Sequence, residues 1–175
     1  MARIPLLQMT GISLTFGGEP VFSDLDLVVH QGDRVALVGR NGSGKSTLMK
    51  VMAGLVEPDA GERAVPPGIA VGYMEQEPDL SAHATLGAFA ASGLGEGEAW
   101  RVAAAAEGLG LDPDTPVATA SGGERRRAAL AKIMAEAPDL MLLDEPTNHL
   151  DIRAIAWLDE ALAATRSAVV VISHD

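Results

Sequence analysis

The sequence predicts an α/β fold: a mainly parallel sheet, with an N-terminal antiparallel β subdomain and a small helical subdomain over about residues 77–137. Three observations predict it. Short apolar runs at Arg34–Val38, Leu140–Leu143 and Ala168–Ile172 have the composition of strands buried on both faces of a parallel sheet. Helical segments separate these runs, so the order is strand, helix, strand, helix, strand. The first third instead alternates apolar and polar residues, as half-exposed strands do.

Leu6–Phe16 and Leu25–Val29 carry that alternation, with Gly17-Gly18 and Gln31-Gly32-Asp33 as turns. Arg34–Val38 runs into a Gly-rich loop, and Ser46–Leu55 after it has helix composition with a glycine near its end. Ile69–Tyr73 is a further strand, closing on Met74-Glu75-Gln76. Residues 77–120 are rich in Ala, Gly and Pro, and Glu98–Glu107 is the best helix among them. Gly122–Ala137 is a helix stopped by Pro138. Arg153–Thr165 is an amphipathic helix with Ile155, Leu158 and Leu162 on one side.

At 175 residues the chain is long enough for one domain with its own core. Apolar residues make up 47% and aromatics 3%, so that core is aliphatic. No apolar run approaches the ~18 to 20 residues needed to span a bilayer, and residues 1–5 lack the apolar stretch of a signal peptide. With no cysteine, disulfides and thiolate metal sites are excluded, which agrees with a reducing, cytoplasmic setting. A net charge of -11 carries no general electrostatic footprint for nucleic acid. The one basic cluster, Arg125-Arg126-Arg127, belongs to a helix.

Gly39-Arg40-Asn41-Gly42-Ser43-Gly44-Lys45-Ser46-Thr47 has the spacing of a phosphate-binding loop, with a strand before it and a helix after it. Glycines let backbone N–H groups turn inward around phosphate oxygens, and the following helix adds the positive end of its dipole. Lys45 supplies a point charge for the β- and γ-phosphates, and the Ser46 hydroxyl suits Mg²⁺. A glycine-rich turn bearing a solvated lysine is the plainer alternative, which leaves the strand and helix flanks unexplained.

Asp144 and Glu145 end an apolar strand at the edge to which the phosphate loop is also delivered. Asp144 there would hold Mg²⁺, and Glu145 would polarise an attacking water as general base. Alone, the pair could equally be an acidic loop that caps the next helix. Ser121-Gly122-Gly123-Glu124 opens a helix, and its Ser and Glu satisfy the capping-box rule. The cap does not explain two glycines, each costing about 1 kcal/mol inside a helix. Close approach of another molecule's phosphate would explain them.

In this order, GRNGSGKST, SGGE and LLDEPTNHLD resemble the ATP-binding-cassette (ABC) ATPases, a P-loop NTPase family. The string Asp144–Asp151 (DEPTNHLD) resembles the ABC-F subfamily in particular, and the likeness runs from Phe16 to His174. The resemblance implies ATP and Mg²⁺ as ligands. It implies that Phe16 stacks on adenine, where tyrosine is commoner, and that Gln76 reaches Mg²⁺ and the lytic water. His174 would contact the γ-phosphate, while Ser121, Gly122, Gly123 and Glu124 would meet the γ-phosphate held by an opposite cassette. Asp151 would lie in the loop that crosses the seam between the two.

The implied partner is a second cassette, in cis or as a head-to-tail homodimer, and the implied setting is the ribosome. Ala120 replaces the usual leucine before SGGE, and the stretch from Gln76 to Ser121 is too short for the arm inserted in many first ABC-F cassettes. Family cassettes continue beyond the strand that ends near His174, so residues 1–175 are expected to be one C-terminally truncated cassette. Two other readings stay open: the ATPase subunit of a membrane transporter, and a nucleotide-dependent binding module without turnover of its own.

Overall fold

The computed structural model describes residues 2–173, so His174 lies outside the described residues. These residues form two units. The first takes the chain up to Tyr73, then Pro138–Asp144 and the described residues from Arg166 onward. It contains seven strands: β1 (Pro5–Phe16), β2 (Glu19–His30), β3 (Arg34–Leu37), β4 (Ala60–Ala64), β5 (Val71–Met74), β6 (Leu140–Asp144) and β7 (Ala168–Ile172). One helix, α1 (Lys45–Met52), accompanies them.

β1, β2 and β4 make an antiparallel sheet in the order β2-β1-β4. The other four strands make a second sheet, β3-β7-β6-β5, in which β7 runs parallel to both β3 and β6. Sequence order 3-7-6-5 requires crossovers between parallel neighbours, as expected for an α/β sheet. Every residue of β6 is buried, which is why its sequence is an unbroken apolar run up to Asp144.

One aliphatic core joins these elements. Leu7, Met9 and Ile12 of β1 pack in a cluster with Met49, Val51 and Met52 of α1 and with Leu140, Leu142, Val170 and Ile172 of the parallel sheet. Each such side chain contributes about 1.5–3 kcal/mol by leaving water.

Three first-unit elements differ substantially from expectation. β3, expected to be buried on both faces, has Arg34 and Ala36 exposed and Val35 and Leu37 half-buried; it is an edge strand in the order β3-β7-β6-β5. β2 begins at Glu19 rather than Leu25, because the Gly17-Gly18 turn sets Phe16 directly against Glu19 and the ladder starts there. β4 has the sequence AGERA, with no apolar alternation; it is a strand because β1 pairs with it, Met9 opposite Arg63 and Thr10 opposite Glu62. In addition, Arg63 Nε donates to the Met52 carbonyl at 2.9 Å, satisfying an orphan acceptor at the C-terminal end of α1.

The second unit, Met74–Ala137 with Glu145–Thr165, is helical. It contains α2 (Leu86–Ala91), α3 (Trp100–Leu109), α4 (Gly122–Glu136) and α5 (Ile152–Ala164). α4 packs on α2 and α3, and α3 packs on α5. Gly108 makes the last contact close: a Cβ there would fall 2.2 Å from Cε2 of Trp157. α2 has only six residues and no periodicity to reveal it; Thr85 starts it by accepting from the Ala88 N–H at 3.1 Å.

Candidate functional site

The phosphate loop leaves β3 and ends in α1. Gly44 is the N-cap of α1 with φ 93, a left-handed conformation that glycine adopts freely. Lys45 turns back into the loop, donating to the carbonyls of Gly39 at 2.5 Å and Arg40 at 3.0 Å. A third fastening, Ser43 N–H to the Arg40 carbonyl, closes the turn at 3.1 Å. Asn41, Gly42 and Ser43 form the exposed crest of the loop, while Ser46 and Thr47 are half-buried in the first turn of α1. At Gly39 a Cβ would meet Ser43 Oγ at 2.9 Å, so a side chain there would have to displace the Ser43 hydroxyl.

Asp144 shares a level with the start of this loop. Leu37, the last residue of β3, and Asp144, the last of β6, both pair with Ile172 on the strand between them. Two strand spacings of ~4.8 Å put their backbones about 10 Å apart at one sheet edge. Asp144 is 2% exposed. α1, which carries Ser46 in its first turn, packs on β6.

These donors suit Mg²⁺ bound with a nucleotide. A hydroxyl and one carboxylate leave coordination positions for phosphate oxygens and water, the arrangement this cation favours over an all-protein cage. Among the described residues no group of three or more His, Asp or Glu is disposed to hold a metal unaided.

The second unit carries the other predicted residues except Phe16, which ends β1 in the first unit, and His174, which lies outside the described residues. Ser121 caps α4: its Oγ accepts from the Glu124 N–H at 3.2 Å, and Glu124 Oε2 accepts from the Ser121 N–H at 2.8 Å. Both halves of the capping box are therefore made. Gly122 is exposed, and a Cβ on it would meet nothing within 4 Å. A Cβ on Gly123 would sit 3.5 Å from His149 Cβ, an ordinary contact. Packing among the described residues thus demands neither glycine. Asp151 caps α5 through a 2.8 Å bond from the Ala154 N–H.

A pocket of about 700 Å³ lies within this unit, lined by Gln76 to Asp79, Gly122, Gly123, Arg125, Arg126 and His149. It brings Gln76 and the two glycines to one cavity. Glu145 is half-buried with φ 49, a left-handed backbone rare outside glycine. Phe16, at the end of β1, is 54% exposed and so is not a core aromatic. Sequence reasoning passed over Asn148, whose Nδ2 donates to Glu145 Oε2 at 2.7 Å. The signal available was only its place in the DEPTNHLD string.

The family model described as "ABC transporter" matches residues 22–148. Among curated proteins, the chain is 50% identical to the ATP-binding protein Uup of Caulobacter vibrioides, over 99% of this chain and 28% of that protein. It is 32% identical to the energy-dependent translational throttle protein EttA of Mycobacterium tuberculosis, over 97% of this chain and 38% of that one. The chain thus spans well under half the length of these relatives. A solved structure of the ATP-binding subunit of an ABC transporter superposes with a TM-score of 0.82 at 28% identity, covering 97% of this chain and 79% of that one. A bacterial Atm1-family ABC exporter with ATP bound superposes with a TM-score of 0.84 at 25% identity, covering 100% and 35%.

Proposed function

Because the chain belongs to the ABC transporter family, we propose that it is an ABC-F-type ATPase cassette that works in the cytoplasm, closes head-to-tail on a second cassette and acts on the ribosome. The observation that carries the reading is the shared level of Leu37 and Asp144 about Ile172, which sets a phosphate loop and a buried carboxylate on one sheet edge.

In this reading the loop N–H groups and Lys45 bind the β- and γ-phosphates of ATP. Ser46 and Asp144 would hold Mg²⁺, which bound there would neutralise charge on the phosphate oxygens; Gln76 is assigned to the ion by resemblance alone. Phe16 offers an exposed ring face to the adenine. Glu145 takes a proton from water as the water oxygen bonds to the γ-phosphorus. The bond from the γ-phosphorus to the β,γ-bridging oxygen breaks, giving ADP and phosphate. His174 is assigned to the γ-phosphate by resemblance alone.

Ser121, Gly122 and Gly123 are proposed to meet the γ-phosphate of the partner cassette, and Asp151 to line the seam. The two glycines support this, since no packing contact among the described residues requires them. The Uup and EttA relatives favour ABC-F, and EttA, a translational throttle protein, favours a role in translation. The likeness to a transporter's ATP-binding subunit favours a second reading, in which the cassette powers a membrane partner. Among the described residues no helix is long and apolar enough to cross a membrane.

Phosphate release from Mg-ATP, followed over a wide range of chain concentration beside Glu145→Gln, tests the proposal. Turnover rising faster than linearly and abolished in the mutant is expected. Tight ATP binding with no release at any concentration would instead favour a nucleotide-dependent binding module.

A further inference from the structure

Asn148 touches the carboxylate on which the proposed reaction depends, yet has been given no part in it. Its Nδ2 donates to Glu145 Oε2 at 2.7 Å, and its backbone N–H donates to the Glu145 carbonyl at 3.2 Å. The two residues are therefore tied twice, once through the main chain and once through the side chains.

The plainer explanations of Asn148 do not fit. It is exposed and adds nothing to a core. It is not the cap of α5, because Asp151 fills that position. The turn it belongs to is bracketed by Glu145 at φ 49 and His149 at φ 65, both left-handed and neither glycine. Such conformations persist where the surroundings over-determine them, and they gather at functional sites. Leu150 N–H donates to the Thr147 carbonyl at 3.2 Å, so the turn has further backbone support beyond Asn148.

The geometry points to Asn148 as a positioning residue for the general base: its amide grips one oxygen of Glu145 and fixes the rotation of the carboxylate. This rests on the proposed role of Glu145. An amide is suited to the task because Nδ2 can only donate, matching an ionised carboxylate that can only accept. Fixed orientation of a base relative to its water is worth a large factor in rate, and losing it leaves substrate binding intact.

Two measurements on the whole chain test this. In the nucleotide-free protein, the Asn148 side-chain amide resonances are expected away from the free-amide position, returning to it in Glu145→Ala. For Asn148→Ala, kcat should fall about 10- to 100-fold with the KM for ATP within about twofold of the original and an unchanged melting temperature. Asn148→Ser, which keeps a shorter donor, should recover part of the loss. Free-amide resonances unmoved by Glu145→Ala, an unchanged kcat, or a joint change of kcat, KM and melting temperature would each overturn the positioning role. Wild-type turnover in Glu145→Gln would remove the base itself, and the role of Asn148 with it; that result is distinct because it does not depend on any Asn148 variant.

Discussion

A Cβ placed on Gly44 would lie 2.4 Å from Cγ1 of Val21. The glycine at the mouth of α1 is thus required twice, once by its φ of 93 and once by a neighbour on β2. β2 thus supplies a reason for this glycine that exists without any ligand, alongside the proposed phosphate role.

Gly44→Ala should accordingly destabilise the unliganded chain. A non-glycine residue held in this region costs about 1–3 kcal/mol, which for a chain of this size lowers the melting temperature by roughly 2–12 °C. Adding Val21→Ala should return part of that loss by relieving the contact, leaving the backbone component. Thermal unfolding of the single and double variants checks both.

Lys45→Ala should weaken ATP binding by about 10- to 100-fold, the range for losing a charged hydrogen-bond donor. Lys45→Arg should not rescue it, because a planar guanidinium cannot take the place of a compact ammonium folded against the Gly39 and Arg40 carbonyls. Titration with a fluorescent ATP analogue gives the affinities.

Ser121 offers a way to separate a helix cap from a phosphate contact. Ser121→Ala should cost about 1 kcal/mol of stability by leaving the Glu124 N–H without its partner. Ser121→Asp should preserve stability, since aspartate is an equally good cap, yet abolish turnover by setting a negative charge against the partner's γ-phosphate. If Ser121→Asp hydrolyses ATP like the original chain, the residue is a cap and nothing more.

Acid stability should depend on Asp33. The His30 backbone N–H, donating to Asp33 Oδ2 at 2.8 Å, holds its carboxyl below the ordinary value of 3.8; partial burial opposes this, while Arg3 and His30 reinforce it. A depressed folded-state value means the stabilisation is present above 3.8 and is lost as pH falls through the lower folded value. The stability difference between the original chain and Asp33→Asn should therefore be present above about pH 4 and shrink below it. Urea unfolding midpoints at stepped pH measure it.

β6 and β7 were legible because burial on both faces writes itself as unbroken apolar runs, whereas β3, read the same way, is an edge strand with no buried residue. β4 was not, because an edge strand such as AGERA owes its conformation to β1 rather than to its own residues. α2 was hidden for a related reason: six residues are too few to show a helical period, and the signal was one threonine cap. At the site, spacing was enough to find the loop and the acid pair. The grip of Asn148 on Glu145 was not visible, since it depends on two left-handed residues that no composition rule anticipates.

The ring of Trp157 against Gly108 also furnishes an optical probe. The chain has two tryptophans, Trp100 and Trp157, and both lie in the helical unit. Emission excited at the red edge of the absorption band therefore reports that unit alone, whereas far-ultraviolet dichroism sums over both. Melting curves recorded by the two signals superimpose if the molecule unfolds in one step. A displacement between them would time the loss of the α3–α5 contact separately from that of the sheet.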